Sequence, residues 1–229
     1  HGRMLRVDER MTPSRAVVYK VIDDVDLTLH LFEPPPGAAR PAPAIVFFFG
    51  GGWVGGNPEQ FFPHCRYLAA RGMVAASAAY RVRDRHGTTP FACVADGKSV
   101  VRWLRAHADS LGVDPARVAA GGGSAGGHVA ACAGLVPGFD ELGEDTAISS
   151  TPDALVLFNP VVDTTMGRLA ERFDGRAEAL SPHHHVAPGA PPVIIFHGEA
   201  DQTVPYAQIE AFRDRMYEHG NVCEVLAFA

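Results

Sequence analysis

A serine held between glycines where a strand meets a helix constrains this chain more than any other feature. Gly122-Gly123-Ser124-Ala125-Gly126 follows the apolar segment Arg117-Val118-Ala119-Ala120 and opens into Gly127-His128-Val129-Ala130-Ala131-Cys132-Ala133, which reads as a helix. In a G-x-S-x-G turn a Cβ two residues before or after the serine would strike neighbouring backbone, so glycine is needed there. The turn lifts the hydroxyl clear of the sheet and over a helix N-terminus, where developing negative charge is favoured. The pentapeptide alone is a weak signal, and it also suits a plain packing turn. Its meaning depends on what stands at the ends of the other strands.

Ala44-Ile45-Val46-Phe47-Phe48-Phe49 is a continuous apolar run of strand length, and Gly50-Gly51-Gly52-Trp53 follows it directly. Glycines leaving a buried strand let backbone N–H groups turn toward a bound group without side chains in the way. An oxyanion hole requires this, together with the N–H of the residue after the serine, Ala125. A phosphate-binding loop of the Walker type would need a Gly-Lys-Ser/Thr ending, which Phe49–Gly56 lacks. Trp53, beside these glycines, reads equally as core or as a wall of an acyl pocket. The third element is Val193-Ile194-Ile195-Phe196-His197-Gly198-Glu199-Ala200-Asp201, a buried strand whose exit loop carries an acid. Asp163, after the strand Ala154–Phe158, is its rival. Asp201 also suits the cap of a helix starting near Pro205, although Thr203 is better placed for that.

Glycine loop, serine and acid in this order resemble an α/β-hydrolase of the carboxylesterase type, akin to the hormone-sensitive-lipase family and the bacterial acetyl and feruloyl esterases. The resemblance covers nearly the whole chain and implies a mostly parallel central sheet with helices on both faces. It implies Ser124 as nucleophile, Asp201 as triad acid, and Gly51, Gly52 and Ala125 as oxyanion donors, with no metal and no organic cofactor. Two positions depart from the family pattern. Phe49 stands where the family usually has a histidine that braces the glycine loop. The histidine expected after the acid is absent, because Asn221–Ala229 reads as the last strand. The expectation is a single domain over 1–229 that lacks the final histidine loop and helix, a truncated enzyme whose apolar end is open to pairing with another copy.

The histidines present offer weaker substitutes. His219 ends the helix 205–219, at the far edge of the sheet from strand exits, and reads as a cation near the helix dipole. His197 lies within a strand. His128 follows Ser124 by one turn, but the elbow points its serine away from the helix. Consecutive side chains of His183-His184-His185 diverge, which disfavours a zinc site.

Composition narrows the function classes. The chain has 229 residues, 47% hydrophobic and 20% charged, within the range of one globular α/β domain. A net charge of −6 without dense Lys/Arg clusters argues against nucleic acid. No apolar stretch reaches membrane-spanning length, and no secretory leader is recognisable in a chain that starts at His1, which leaves a soluble cytoplasmic or secreted mature form. The four cysteines, Cys65, Cys93, Cys132 and Cys223, lack paired spacing and read as buried thiols.

Strands are expected at 16–22, 25–32, 44–49 and 73–80, then before the elbow, at 154–158, at 193–196 and at 222–228. Asn57-Pro58 opens a helix with Gln60 three residues beyond the cap, closed by Gly72. Thr89-Pro90 opens a longer one whose apolar face runs through Cys93, Val100, Leu104, Ala108 and Leu111 to Gly112. Asp96 reads as a solvated helix residue and Asp114 as a turn residue. Candidate lids are the residues before Met11 and the polar excursions 137–152 and 164–191, without an amphipathic helix suited to lipid. The expected substrates are soluble short-chain esters, acetyl or feruloyl groups on carbohydrate by family analogy. Two rivals stand beside this reading: a non-catalytic binding protein on the same fold, and an amidase or peptidase.

Overall fold

The computed structural model describes residues 11–229. Strands β1 (Arg15–Ile22) and β2 (Val25–Phe32) form a hairpin across Asp23 and Asp24, whose φ values of 49° and 61° make the two-residue turn that matches strand twist. Strands β3 (Ala42–Phe48), β4 (Val74–Ala78), β5 (Val113–Gly123), β6 (Ala154–Phe158), β7 (Val193–Gly198) and β8 (Cys223–Phe228) complete a sheet in the order β1-β2-β4-β3-β5-β6-β7-β8. The β1-β2 and β2-β4 pairs are antiparallel, and every pair from β4-β3 to β7-β8 is parallel. The helices are α1 (Phe62–Ala69), α2 (Arg83–His86), α3 (Pro90–Ala106), α4 (Ala108–Leu111), α5 (Ala125–Leu135) and α6 (Tyr206–Glu218).

Several expected boundaries shift for local reasons. The Asn57 side chain accepts from Glu59 N–H, as a cap does, but only a 3-10 turn, Pro58–Phe61, follows before α1. Pro63 has no N–H to give, so the α-ladder starts afresh at Phe62. The helix then ends at Ala69, short of Gly72. The long helix expected from Pro90 to Gly112 breaks at His107, whose ring stacks on Trp103 with 4.0 Å between centroids while its Nδ1 lies 2.9 Å from the Trp103 carbonyl. Cys93, Val100, Leu104, Ala108 and Leu111 are buried all the same. Strand β4 is shorter than the stretch 73–80.

Asp96 corrects the reading of a solvated residue. It is fully buried, accepting from the Arg81 backbone N–H at 2.9 Å, from Arg81 Nη2 at 2.8 Å and from Lys20 Nζ at 2.6 Å. Lys20 and Arg81 also reach Glu141 at 2.8 Å, and Arg102 bonds Asp140 and Glu144. Helix α3 is therefore covered by the hairpin on one side and by the excursion 137–152 on the other. This excursion is stapled to α3 rather than hinged as a lid.

The two faces of the sheet differ. Helices α3, α5 and α6 pack with one face around a large core that includes Phe48, Val100, Val129, Ile195 and Phe212. The other face carries α1 over β2 and β4, and a smaller cluster built on Phe47, Phe61 and Phe62. Beyond α1 this second face borders an apolar groove of about 380 Å³ between His64, Tyr67, Phe158 and Phe196. Leu226 and Phe228, whose register partners on β7 are Phe196 and Gly198, are exposed. Among the described residues no helix is long and apolar enough to cross a membrane.

Candidate active site

Strand β5 delivers Ser124 into a turn with φ 51° and ψ −116°, a conformation a non-glycine residue holds only when its surroundings enforce it. The restraint is visible. Ser124 N–H donates to the Phe158 carbonyl at 2.9 Å, and the Ser124 carbonyl accepts from His128 N–H at 3.0 Å. A Cβ on Gly126 would lie 2.0 Å from the Phe48 carbonyl oxygen, and one on Gly122 2.5 Å from it. Helix α5 thus approaches β3 at a distance only glycine permits. Among the described residues nothing hydrogen-bonds the Ser124 hydroxyl.

The glycine loop after β3 passes directly beside this serine, since a Cβ on Gly50 would lie 3.5 Å from Ser124 Cβ. Gly50 N–H donates to Gln60 Oε1 at 2.6 Å, and the Tyr80 hydroxyl donates to the Phe49 carbonyl at 2.5 Å. The Phe49 ring stacks on Tyr80, with centroids 4.2 Å apart and planes 17° from parallel. Within the loop, the Gly51 carbonyl accepts from Val54 and Gly55 N–H groups. Gly51 and Gly52 take φ of 140° and 61°. Their own N–H groups, and that of Ala125 at the start of α5, have no bonded acceptor among the described residues. Arg172, from the 3-10 segment Gly167–Phe173, donates to the Gly52 carbonyl at 2.6 Å.

Trp53 is buried edge-on between His128 and Phe173, and its indole N–H donates to His128 Nδ1 at 3.1 Å. His128 Nε2 donates in turn to the Leu180 carbonyl at 2.7 Å. Both ring nitrogens are engaged, and burial pushes the imidazole down to about 4. A ring so held is a packing element and not a base for Ser124. His184 and His185 turn to the hydroxyl and the carbonyl of Ser181, His183 Nδ1 has no hydrogen-bond partner among the described residues, and His219 bonds back to the Arg215 carbonyl at the end of α6. All four cysteines are free and buried; burial pushes the thiols of Cys65, Cys93 and Cys132 far up and that of Cys223 up to about 12.

Asp201 sits in the loop after β7. Its Oδ1 accepts from the N–H groups of Thr203 and Val204 at 2.8 and 2.9 Å, so Asp201 itself caps the turn before α6 and Thr203 does not. Its Oδ2 lies 3.9 Å from His197 Nε2, which already donates to the Val204 carbonyl at 2.9 Å. The rival Asp163 spends Oδ1 on the Thr165 N–H and hydroxyl. The Phe228 carbonyl accepts from Glu199 N–H at 2.8 Å, so β8 runs out alongside the Asp201 loop. Gln60, Tyr80 and Arg172 hold the glycine loop but are not singled out by sequence. Gln60 has the spacing of a capping box, and nothing in the chain marks it as a partner for Gly50.

A serine on a strained strand-to-helix turn, a glycine loop on the neighbouring strand β3, and an acid after β7 on the far side of β6 define an α/β-hydrolase. The BD-FAE family model matches residues 29–166 and 158–216, and the chain belongs to that family. Esterase LipC of Mycobacterium tuberculosis is 29% identical over 228 residues, spanning 90% of this chain and 56% of LipC. The probable carboxylic ester hydrolase LipM of the same organism is 32% identical across 76% of this chain and 45% of its own length. The chain spans about half the length of the curated relatives it matches. Esterase 2 of Thermogutta terrifontis phosphorylated by paraoxon superposes with a TM-score of 0.90 at 48% identity, covering 98% of this chain and 85% of that one. A butyrate-bound form gives 0.89 at 47% identity, covering 98% and 86%.

Proposed function

We propose that the protein is a serine carboxylic-ester hydrolase acting through an acyl-enzyme on soluble short-chain esters. The observation that carries this reading is the unbonded Ser124 hydroxyl on its enforced turn, beside a glycine loop with free N–H groups. Ser124 Oγ attacks the ester carbonyl, and the oxyanion that forms is met by the N–H groups of Gly51, Gly52 and Ala125. Each such donor is worth about 3 kcal/mol of barrier. Loss of the alcohol leaves the acyl-serine, and water then releases the acid. Asp201 orients the histidine that takes the serine proton and stabilises its charged form. We place that histidine outside the residues described here, entering beside Asp201 where β8 runs out. Trp53 takes the role of bracing the loop from beneath, through His128 and Phe173, more than of walling an acyl pocket.

The neighbours support this class of substrate. The Thermogutta terrifontis esterase has been captured phosphorylated by paraoxon and bound to butyrate and to propionate. A fluorophosphonate probe is expected to label the protein at Ser124, and Ser124→Ala is expected to abolish labelling. Labelling that survives the substitution rejects the nucleophile. In a series of p-nitrophenyl esters, acetate and butyrate should outrun long acyl chains, and the reverse order rejects the short-chain reading. A matching amide turned over as fast as the ester would favour an amidase.

A further inference from the structure

The 3-10 segment Gly167–Phe173 is tied to the glycine loop through Arg172, and its two arginines carry no carboxylate partner among the described residues. Phe173 anchors it, fully buried against Trp53 and His128. From that anchor Arg172 reaches back to the Gly52 carbonyl, on the loop that leaves β3. The same Arg172 lines a cavity of about 430 Å³ together with Met166, Arg168 and Leu169 on one side and Gln202 and Thr203 on the other. Gln202 and Thr203 follow Asp201 on the loop that leaves β7. In the sheet order, β5 and β6 lie between β3 and β7. The cavity thus lies between Arg172, which is bonded to the glycine loop beside Ser124, and the loop that carries Asp201.

Charge gives the cavity its chemistry. Neither Arg168 nor Arg172 has a carboxylate partner among the described residues, although the chain carries a net charge of −6. Asp201 forms no ion pair with either of them; its Oδ1 accepts from the Thr203 and Val204 N–H groups. Glu171 lines the smaller cleft on the other side of Arg172. Two guanidinium groups with free donors, facing one cavity beside a neutral amide and a hydroxyl, match a planar carboxylate, which takes paired N–H donors. Building on the hydrolytic reading above, we infer that Arg168 and Arg172 select esters that carry a second, ionised carboxylate, such as half-esters of short dicarboxylic acids. The ester carbonyl sits at Ser124, and the free carboxylate lies in the cavity under the 167–173 segment.

Calorimetric titration into the Ser124→Ala protein tests this without turnover. Monoethyl succinate is expected to bind about fivefold to tenfold tighter than the uncharged diethyl succinate at low salt, for solvent-accessible charge pairs. The advantage should shrink in roughly 0.5 M sodium chloride, where screening is strong. It should vanish in Arg168→Gln/Arg172→Gln and persist in Arg168→Lys/Arg172→Lys. Should the double Gln protein fail to fold, the single Arg168→Glu change must lower the preference for the monoester. Equal affinity for the two esters, absent binding of the monoester, or a preference that survives loss of both cations overturns the inference. Failure of the fluorophosphonate probe to label Ser124 strikes the hydrolytic reading alone, since these titrations measure binding only.

Discussion

The serine turn and the acid loop solve opposite problems with opposite means. Around Ser124 the backbone is boxed in by other parts of the fold: β3 through the Phe48 carbonyl, β6 through the Phe158 carbonyl, and the helix α5 beneath. Around Asp201 the restraint is local, two N–H groups of the next three residues closing on one carboxylate oxygen. The difference follows from what each side chain must do. A neutral hydroxyl presented without a partner cannot stabilise its own strained backbone, so distant elements must hold it. A carboxylate attracts N–H donors strongly enough to organise its own loop.

The sharpest way to break this comparison is to remove the charge from the acid loop. With the triad histidine in place beside it, Asp201→Asn is expected to lower kcat by about 10⁴-fold, by analogy with triad acids, with little change in melting temperature. Asp163→Asn should cost less than about threefold in kcat, as ordinary for a residue outside the site. A larger loss at Asp163 than at Asp201 in steady-state ester hydrolysis would reassign the acid. Next in size is the packing of the serine turn. Gly126→Ala sets a Cβ against the Phe48 carbonyl and is expected to destabilise the fold by about 4 kcal/mol in urea titration. Gly198→Ala, with no atom closer than 4.0 Å to its added Cβ, should stay within about 1 kcal/mol. Similar losses at the two glycines would mean that the turn is no more tightly held than the strand beside the acid.

A third test sharpens the point that His128 belongs to the scaffold. Its imidazole is neutral in the fold, with a value pushed down from 6.5 to about 4. The unfolded chain therefore binds a proton that the folded one does not, and stability rises with pH through this interval. Below about 4 both states are protonated and the dependence ends. On lowering the pH from 7 to 4 the parent should lose on the order of 3 kcal/mol relative to His128→Gln. Gln retains the means to accept from Trp53 and donate to Leu180. Parallel stability curves for the two proteins would show that the ring titrates in the fold as it does in the unfolded chain. The smallest expected effect concerns the brace on the glycine loop. Gln60→Ala frees Gly50 N–H and should lower kcat about tenfold, equivalent to about 1.4 kcal/mol, with KM nearly unchanged. A change confined to KM would place Gln60 in substrate binding instead.

Most of the secondary structure is legible because its causes are local. The apolar run before Gly50, the turn at Asp23-Asp24 and the Thr89-Pro90 helix start each state their own geometry through sterics and hydrophobic period. Boundaries slip where a single residue interrupts the pattern, at Pro63, which withholds an N–H, and at His107, which stacks on Trp103. Asp96 shows the harder kind of miss. Its place on α3 does not reveal that a hairpin and a distant excursion close over that helix, nor that Arg81 and Lys20 meet its carboxylate there.

The same division runs through the site. Gly122, Ser124 and Gly126 are legible in sequence as a G-x-S-x-G turn, and a Cβ on Gly122 would meet the Gly126 backbone within that turn, although the bar at Gly126 itself comes from the Phe48 and Phe49 carbonyls. The glycines after β3 and the acid after β7 are likewise marked by their position at strand exits. Only the tertiary structure makes Phe49 a stacking partner of Tyr80, Gln60 an acceptor for Gly50, His128 a locked neutral ring, and Arg172 a clamp on Gly52. Backbone sterics act within a few residues and so are written along the chain. Hydrogen-bond partnership and burial depend on which remote segments arrive together, and those are decided when the sheet assembles.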